Sequence, residues 1–258
     1  MPDDFARAWA FMRRGDARGT VERPFRYGTA VLTPELPRRY DSNFLYLDRL
    51  EPDATAVELR AEADRVFDEA GLAHRALVFP DADEGERLAP AFAGWDVHRN
   101  AVMVQRHAPE NAPDTSSVEE LDEAALRPAR RQRISSVPWG DDEVADQLLD
   151  ARLLLARWLS VRCFAVVADG QVVSYADLYQ DGPDAQIEDV ATMEPYRGRG
   201  YAKAVVMRAA EEAQRSGADF VFLVADEDDW PKKLYARLGF ETVGRYVKLY
   251  RPTSARSG

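Results

Sequence analysis

The feature that most constrains the fold of this chain is an internal repeat. Sliding the 258-residue sequence against itself by about 146 positions brings apolar runs of the first half onto apolar runs of the second. Phe44 to Leu47 then falls on a run ending at Thr192, Ala56 to Ala70 on the helical segment after it, and Arg75 to Val78 on Val221 to Val224. Several segments keep one offset, so we interpret the chain as a degenerate duplication. Two unrelated segments with a similar rhythm are the alternative.

A polar segment from Ala108 to Ser117, APENAPDTSS, marks the boundary between the two copies. It predicts an N-terminal domain over residues 1–107 and a C-terminal domain over 117–252, both of ordinary domain size. The C-terminal part begins with two helical segments, Glu123 to Arg133 and Asp141 to Leu159. Three apolar runs with Asp-Gly turns follow, and then helices and strands alternate. The order ααβββαβαβ predicts a mixed α/β sheet.

Composition narrows the chemistry that the C-terminal domain can use. The three histidines all precede it, and the chain has one cysteine, so we expect no disulfide, no metal and no histidine-based catalysis there. A net charge of −11 disfavours nucleic acid and favours a cationic small molecule. No run approaches the ~20 apolar residues of a membrane helix. The opening residues are not typical of a signal peptide either, so we expect a cytoplasmic protein with no membrane partner.

The sharpest motif is Arg197-Gly198-Arg199-Gly200-Tyr201-Ala202, which we call the glycine turn. It lies between an apolar run and a helical segment. Its two glycines allow a tight turn that aims backbone N–H groups outward at a helix N-terminus. Such a turn is a favourable site for a pyrophosphate, helped by the helix dipole. A glycine-rich loop without a function is the alternative.

A second motif, Leu234-Tyr235-Ala236-Arg237-Leu238-Gly239-Phe240, follows the glycine turn after a strand. Together the two motifs resemble those of the GNAT N-acetyltransferase superfamily, and the resemblance covers Val118 to Tyr250. It implies the GNAT fold, a mostly antiparallel mixed sheet flanked by helices, here in two tandem copies. It also implies acetyl-CoA as co-substrate.

The resemblance implies where acetyl-CoA binds. The pyrophosphate would lie on the amides of the glycine turn, and the pantetheine arm would pair with the end of the preceding strand. The implied cofactor-binding residues are Val190, Ala191, Thr192, Arg197, Gly198, Arg199, Gly200, Tyr201, Ala202 and Lys203.

Two side chains are candidates for the chemistry. Tyr235 matches the tyrosine that in this family often protonates the departing thiolate, and an aromatic that packs beside the cofactor is the alternative. Without a histidine, a carboxylate acting directly or through water is the economical base. Glu188 and Asp189 lie on one predicted strand, whose alternation sends them to opposite faces. Relatives use a carboxylate on this strand, which favours Glu188; a salt bridge or a strand-edge charge is the alternative.

The acceptor side is less defined. Trp139 and Asp141 lie at the turn between the first two helices, which lines the acceptor side in the family, although a surface tryptophan and a helix cap explain them equally well. Asp226 opens an acidic run before the Tyr235 helix, where it could contact a cationic substrate or complement the helix N-terminus. Asp228 stands where the family has an asparagine that contacts the cofactor, which puts that contact in doubt.

The first copy has lost the cofactor motif. In place of the glycine turn it has Glu51-Pro52-Asp53-Ala54-Thr55. Two acidic residues therefore occupy the positions of the two arginines, and no glycine remains. We expect that this domain does not bind acetyl-CoA, and that it shapes one wall of the acceptor site or packs as a pseudo-dimer partner.

The function that these features predict is acetyl-CoA-dependent N-acetylation of a small-molecule amine, by direct attack on the thioester. A protein lysine or N-terminal acetyltransferase, and a non-catalytic module that binds CoA, remain open. We expect a monomer, itself a pseudo-dimer, or a homodimer.

Overall fold

The computed structural model describes residues 3–17, 20–137 and 140–252, apart from the side chain of Leu154. The helices are α1 (Asp4–Asp16), α2 (Ala56–Glu69), α3 (Ala82–Leu88), α4 (Glu123–Ser135), α5 (Asp142–Leu155), α6 (Tyr201–Arg215) and α7 (Pro231–Arg237). The strands are β1 (Val21–Phe25), β2 (Gly28–Leu32), β3 (Phe44–Tyr46), β4 (Arg75–Phe79), β5 (Asp96–Gln105), β6 (Val118–Leu121), β7 (Ser160–Ala168), β8 (Gln171–Asp181), β9 (Asp184–Thr192), β10 (Phe220–Asp226) and β11 (Phe240–Arg251).

These elements form two compact units. Unit 1 holds the described residues up to Gly15 and Val102–Val243, and unit 2 holds those of Asp16–Ala101 and from Gly244 onward. Strands β5 and β11 each cross the boundary, so each unit contains part of both.

Unit 1 is a sheet covered by helices. Its strand order is β5-β10-β9-β8-β7-β6, with β9 and β10 parallel and the pairs β6/β7, β7/β8 and β8/β9 antiparallel. Helix α6 packs on β8 and β9 through a buried face of alanine, valine and methionine that includes Val206, Ala210 and Ala213. A face that recurs every three to four residues is what the 3.6-residue helical period requires.

Helix α1 also belongs to unit 1. The Phe11 ring meets the edge of Phe222 on β10 with centroids 5.4 Å apart, and the Arg7 guanidinium lies 4.5 Å from the centre of the Phe220 ring. Arg7 Nε and Arg14 Nη2 donate to the Asp184 carboxylate at 2.6 and 2.9 Å. The first helix of the chain therefore packs near the start of β9 and β10.

Unit 2 repeats the order of elements found in unit 1. Its strands β1, β2 and β3 form an antiparallel meander, α2 crosses over, and β4 returns parallel to β3. The same order in unit 1 is β7-β8-β9-α6-β10, and α3 and α7 follow at equivalent places. The duplication predicted from the sequence is confirmed at the level of topology.

The last strand of each half is exchanged. β5, which comes from the first half, lies beside β10 in unit 1, whereas β11, from the second half, pairs antiparallel with β4 in unit 2. The register sets Val247 opposite Phe79 and Leu249 opposite Leu77. The units therefore differ from the predicted domains 1–107 and 117–252 at α1, at the end of β5 and at the end of β11.

The structure differs from the sequence prediction at β6 and at the end of α5. The predicted order ααβββαβαβ omits β6, which precedes α4 as the sheet's edge strand, because only four residues form it and two of them are glutamates. The helix predicted over Asp141 to Leu159 ends at Leu155, and the chain turns before β7. Among the described residues, no helix is both long and apolar enough to cross a membrane.

Candidate active site

A gap opens between two parallel strands of unit 1. β9 and β10 pair from Asp184/Phe220 to Ile187/Leu223, and their pairing ends there, although β9 continues to Thr192 and β10 to Asp226. On its other side β9 stays paired with β8, where Ala191 faces Tyr175. The β10-facing edge of Val190 to Thr192 is thus left as an edge to which an extended chain could add.

A bulge in β9 accompanies the gap. β8 and β9 pair at Tyr175/Ala191 and at Asp177/Glu188, so β9 carries one extra residue between these pairs. Asp189 lies in this bulge with a left-handed φ of 48°. The prediction that regular alternation sends Glu188 and Asp189 to opposite faces is wrong, because a bulge interrupts alternation. Asp177, which pairs with Glu188, and Asp189 in fact bind the same guanidinium, that of Arg130.

The glycine turn leads from the end of β9 into α6. Gly198 and Gly200 have φ of 77° and 87°, and Gly200 is the N-cap residue of α6. No side chain caps this N-terminus, so its first N–H groups are left for a ligand or water. A Cβ at either glycine would meet no atom within 4 Å, which shows that the turn faces open space.

The arginines of the glycine turn are exposed and partly fixed. Arg197 Nε donates to the Thr192 carbonyl at 3.3 Å, and Arg199 Nη2 donates to the Pro195 carbonyl at 3.3 Å. The Arg199 guanidinium also lies 5.1 Å from the centre of the Tyr196 ring. Both cations thus remain beside the uncapped helix N-terminus.

The other predicted cofactor residues lie on the elements that flank the turn. Tyr201, Ala202 and Lys203 form the half-buried first turn of α6. On β9, the Ser174 hydroxyl donates to the Ala191 carbonyl at 2.9 Å and lies 2.9 Å from the Thr192 hydroxyl. These bonds run toward β8, away from the gap.

Tyr235 lies on α7 and is 7% exposed. Its ring packs edge-on against Phe240 at 6.4 Å. Burial, and next the charge of Glu188, raise the pKa of Tyr235 to about 12. The phenol is therefore protonated at neutral pH.

Glu188 is held through both carboxylate oxygens. The Gln186 side-chain amide donates to Oε1, and the Asp189 backbone N–H donates to Oε2 at 3.3 Å. Tyr179, opposite Gln186 on β8, has a pKa raised to about 12, first by burial. Sequence reasoning did not select Gln186 or Tyr179, although the two-residue period of a strand places Gln186 on the same face as Glu188.

The predicted acceptor residues form local turns and caps. The Asp141 carboxylate accepts from the Val144 N–H at 2.9 Å and caps α5. Asp226 Oδ1 accepts from the Asp228 N–H at 2.9 Å in the turn before α7. Trp139 lies outside the described residues. The helix-cap interpretation accounts for the contact of Asp141, whereas Asp226 closes a local turn and does not cap α7.

The equivalent helix start in unit 2 is occupied by its own side chains. Thr55 caps α2, its hydroxyl accepting from the Glu58 N–H at 3.3 Å, while the Glu58 carboxylate accepts from the Thr55 N–H at 3.1 Å. The parallel strands also stay together beyond Leu45/Leu77, since Tyr46 pairs with Val78 and the Leu47 N–H donates to the Val78 carbonyl at 2.9 Å.

Comparison with known families and structures agrees with this architecture. Residues 120–240 match the model of the acetyltransferase (GNAT) family, and this part of the chain is a GNAT domain. Among curated proteins, none matches the chain significantly.

Three of the solved structures that this chain resembles illustrate the shared fold. A functionally unknown conserved protein from Staphylococcus epidermidis has a TM-score of 0.68 and 15% identity, over 91% of this chain and 95% of that one. A GCN5-related N-acetyltransferase from Kribbella flavida has a TM-score of 0.64 and 17% identity, over 98% of both chains. A tandem GNAT protein from the clavulanic acid biosynthesis pathway has a TM-score of 0.52 and 16% identity, over 82% of this chain and 76% of that one. The fold is thus that of two tandem GNAT-like domains.

Proposed function

We propose that the chain is an acetyl-CoA-dependent N-acetyltransferase that acts on the amine of a small molecule, with its active site in unit 1. The proposal rests on the order in which three features follow one another along the chain from β9 to α6. A free strand edge at Val190–Thr192 leads into an open glycine turn and an uncapped helix N-terminus. An extended amide-containing arm and a pyrophosphate fit these two features in that order.

Acetyl-CoA fits the residues present. The glycine turn offers backbone N–H groups and two exposed arginines to phosphates, and a side chain at either glycine would fill space that is open. The gap-facing edge of Val190 to Thr192 offers strand amides and carbonyls to the pantetheine arm. When bound, acetyl-CoA supplies an activated acetyl thioester.

Glu188 and Tyr235 have complementary roles in this proposal. Glu188, whose charge helps to raise the pKa of Tyr235, accepts a proton from the acceptor amine directly or through a water. Tyr235 keeps its proton at neutral pH and donates a hydrogen bond at the position where negative charge develops on sulfur. Because its pKa is about 12, the phenol stabilises a thiolate better by donating this bond than by giving up its proton.

The acceptor is proposed to be a small, cationic amine. The chain carries a net charge of −11, which raises the local concentration of cations by electrostatic steering. Unit 2 is proposed not to bind acetyl-CoA, because the capping box of Thr55 and Glu58 uses the N–H groups that a pyrophosphate would need.

The test is release of free thiol from acetyl-CoA over a panel of amines, with Tyr235→Phe and Tyr27→Phe beside the wild type. Tyr27 is the matched control, since it is fully buried in unit 2 and its hydroxyl has no hydrogen-bond partner among the described residues. We expect turnover with one amine class, and a loss of roughly 10²- to 10³-fold in Tyr235→Phe alone, the cost of removing one donor to developing negative charge.

Two other outcomes would count against the proposal. Acetyl-CoA binding without consumption of any amine would favour a non-catalytic CoA-binding module. If calorimetry detects no binding of acetyl-CoA, the proposed function is wrong.

A further inference from the structure

A buried ionic cluster contacts the bulge in β9. We call it the arginine–carboxylate cluster, and its members are Arg130, Arg152, Glu123, Asp177 and Asp189. Arg130 is 2% exposed, and the Asp177 side chain is fully buried. Apart from Asp189, the sequence motifs do not include these residues, which are spread over two helices and two strands.

Arg130 and Arg152 both form ion pairs with β8 and with β9 at the bulge. Asp189 Oδ2 accepts from Arg130 Nη1 at 2.5 Å and from Arg152 Nη1 at 3.2 Å. Arg130 Nη2 also donates to Asp177 Oδ1 at 2.6 Å, and Arg152 forms an ion pair with the same carboxylate. Since Asp177 lies opposite Glu188, and Asp189 follows Glu188 in the bulge, helices α4 and α5 bind both β8 and β9 at the place where β9 carries its extra residue.

The bulge in turn sets the direction of Glu188. The Asp189 N–H donates to Glu188 Oε2, so the orientation of this N–H depends on the left-handed backbone at Asp189. Aspartate tolerates that conformation better than most residues, but it remains a minority conformation that surrounding contacts must enforce. The ion pairs to Arg130 and Arg152 supply such contacts.

Energetics favour a geometric role for the cluster. Burying Arg130 and Asp177 fully, and Arg152, Glu123 and Asp189 in part, costs free energy that ion pairing only partly offsets, so a network of this kind is weak evidence for stability. What the network does provide is one defined arrangement, because a guanidinium binds carboxylates in a fixed planar geometry.

We propose that Arg130 and Arg152 are positioning residues that act through Asp189. They hold the bulge at which β9 separates from β10, and they thereby fix the carboxylate of Glu188. This inference rests on the proposed function, in which Glu188 is the base.

The test uses two substitutions at one position. Asp189→Gly keeps the left-handed backbone free of strain but removes the carboxylate, so the variant is expected to fold. Asp189→Asn keeps an oxygen that can accept from both arginines. Arg162→Met is the matched control, because Arg162 also bridges two carboxylates, Glu120 and Glu212, and they lie on β6 and at the C-terminal end of α6.

We expect kcat of Asp189→Gly to fall roughly 10- to 100-fold, while KM for acetyl-CoA changes by less than about threefold because the glycine turn is untouched. Asp189→Asn should recover kcat to within about threefold of the wild type, and Arg162→Met should leave it unchanged. Wild-type kcat in Asp189→Gly, or an equal loss in Asp189→Asn, would overturn the inference.

Hydrogen exchange separates this inference from the proposed function. In Asp189→Gly we expect those β9 amides between Glu188 and Thr192 that face β8 to exchange about tenfold faster or more, and in Asp189→Asn they should exchange as in the wild type. If the wild type consumes no acetyl-CoA, the proposed function fails, and the exchange rates still decide whether the arginines hold the bulge. Unchanged exchange in Asp189→Gly would refute that role.

Discussion

The glycine turn allows a test with a control at the other end of the same helix. Gly200 begins α6 with φ of 87°, and Gly217 follows its C-terminus with φ of 90°. At both positions a Cβ would meet no atom within 4 Å. Replacement by alanine therefore costs the same backbone strain at the two ends and creates no steric clash at either.

The two variants should differ only in their affinity for acetyl-CoA. An alanine in the left-handed region costs about 1–2 kcal/mol, so Gly200→Ala and Gly217→Ala should be destabilised equally. At Gly200 the new methyl group would also occupy the space in front of the amides that the pyrophosphate needs. Loss of one charge-assisted hydrogen bond costs roughly 1.5–3 kcal/mol, which weakens binding by about 10- to 100-fold.

The measurements are thermal unfolding of both variants and calorimetric titration with CoA. The reasoning predicts matched unfolding temperatures, weakened CoA binding in Gly200→Ala, and wild-type binding in Gly217→Ala. If Gly200→Ala binds CoA as the wild type does, the glycine turn is not the pyrophosphate site. Equal weakening in both variants would mean that the effect comes from loss of helix stability.

Three further predictions concern ionisable groups. Because the pKa of Tyr235 is raised to about 12, its ionisation should not reduce kcat below about pH 11, which a pH profile of the wild type checks. Burial lowers the pKa of His74 in unit 2 from 6.5 to about 4, so its neutral form is favoured in the fold. Stability is therefore complete above about pH 6.5 and falls as the pH drops toward 4, by about 3 kcal/mol in total. Exchange protection of β4 should show this fall in the wild type, but not in His74→Phe. Burial also raises the pKa of the Cys163 thiol, so a thiol reagent should label it slowly in the native protein and rapidly in denaturant; fast native labelling would contradict its burial.

The glycine turn and the Tyr235 helix were accessible from the sequence because their signals are local. Gly198 and Gly200 take left-handed conformations that few other residues adopt. The second motif, Leu234 to Phe240, spans the second half of α7, the turn after it and the first residue of β11. Short-range hydrogen bonds and backbone sterics decide such features, and both depend on neighbouring residues in the chain.

The arginine–carboxylate cluster could not be predicted from the sequence, because its contacts join residues that are far apart in the chain. Arg130 follows Leu126 and precedes Ile134 at helical spacing, so it falls on the buried face of α4, and Asp177 interrupts an apolar strand. Each is a signal of a buried charge. Neither signal identifies the residue with which the buried charge pairs, because the ion pairs join residues about 50 positions apart.

By itself, the sequence determined the duplication, the mixed α/β class, the glycine turn and the loss of that turn in the first copy, since periodicity and local conformational preference are written in consecutive residues. Only the tertiary structure decided where β9 parts from β10, because that point depends on a bulge held by α4 and α5. It also decided that β11 pairs with β4 while β5 lies beside β10. Duplicated strands carry similar apolar patterns, so either could complete either unit, and the choice falls to the packing of the folded chain.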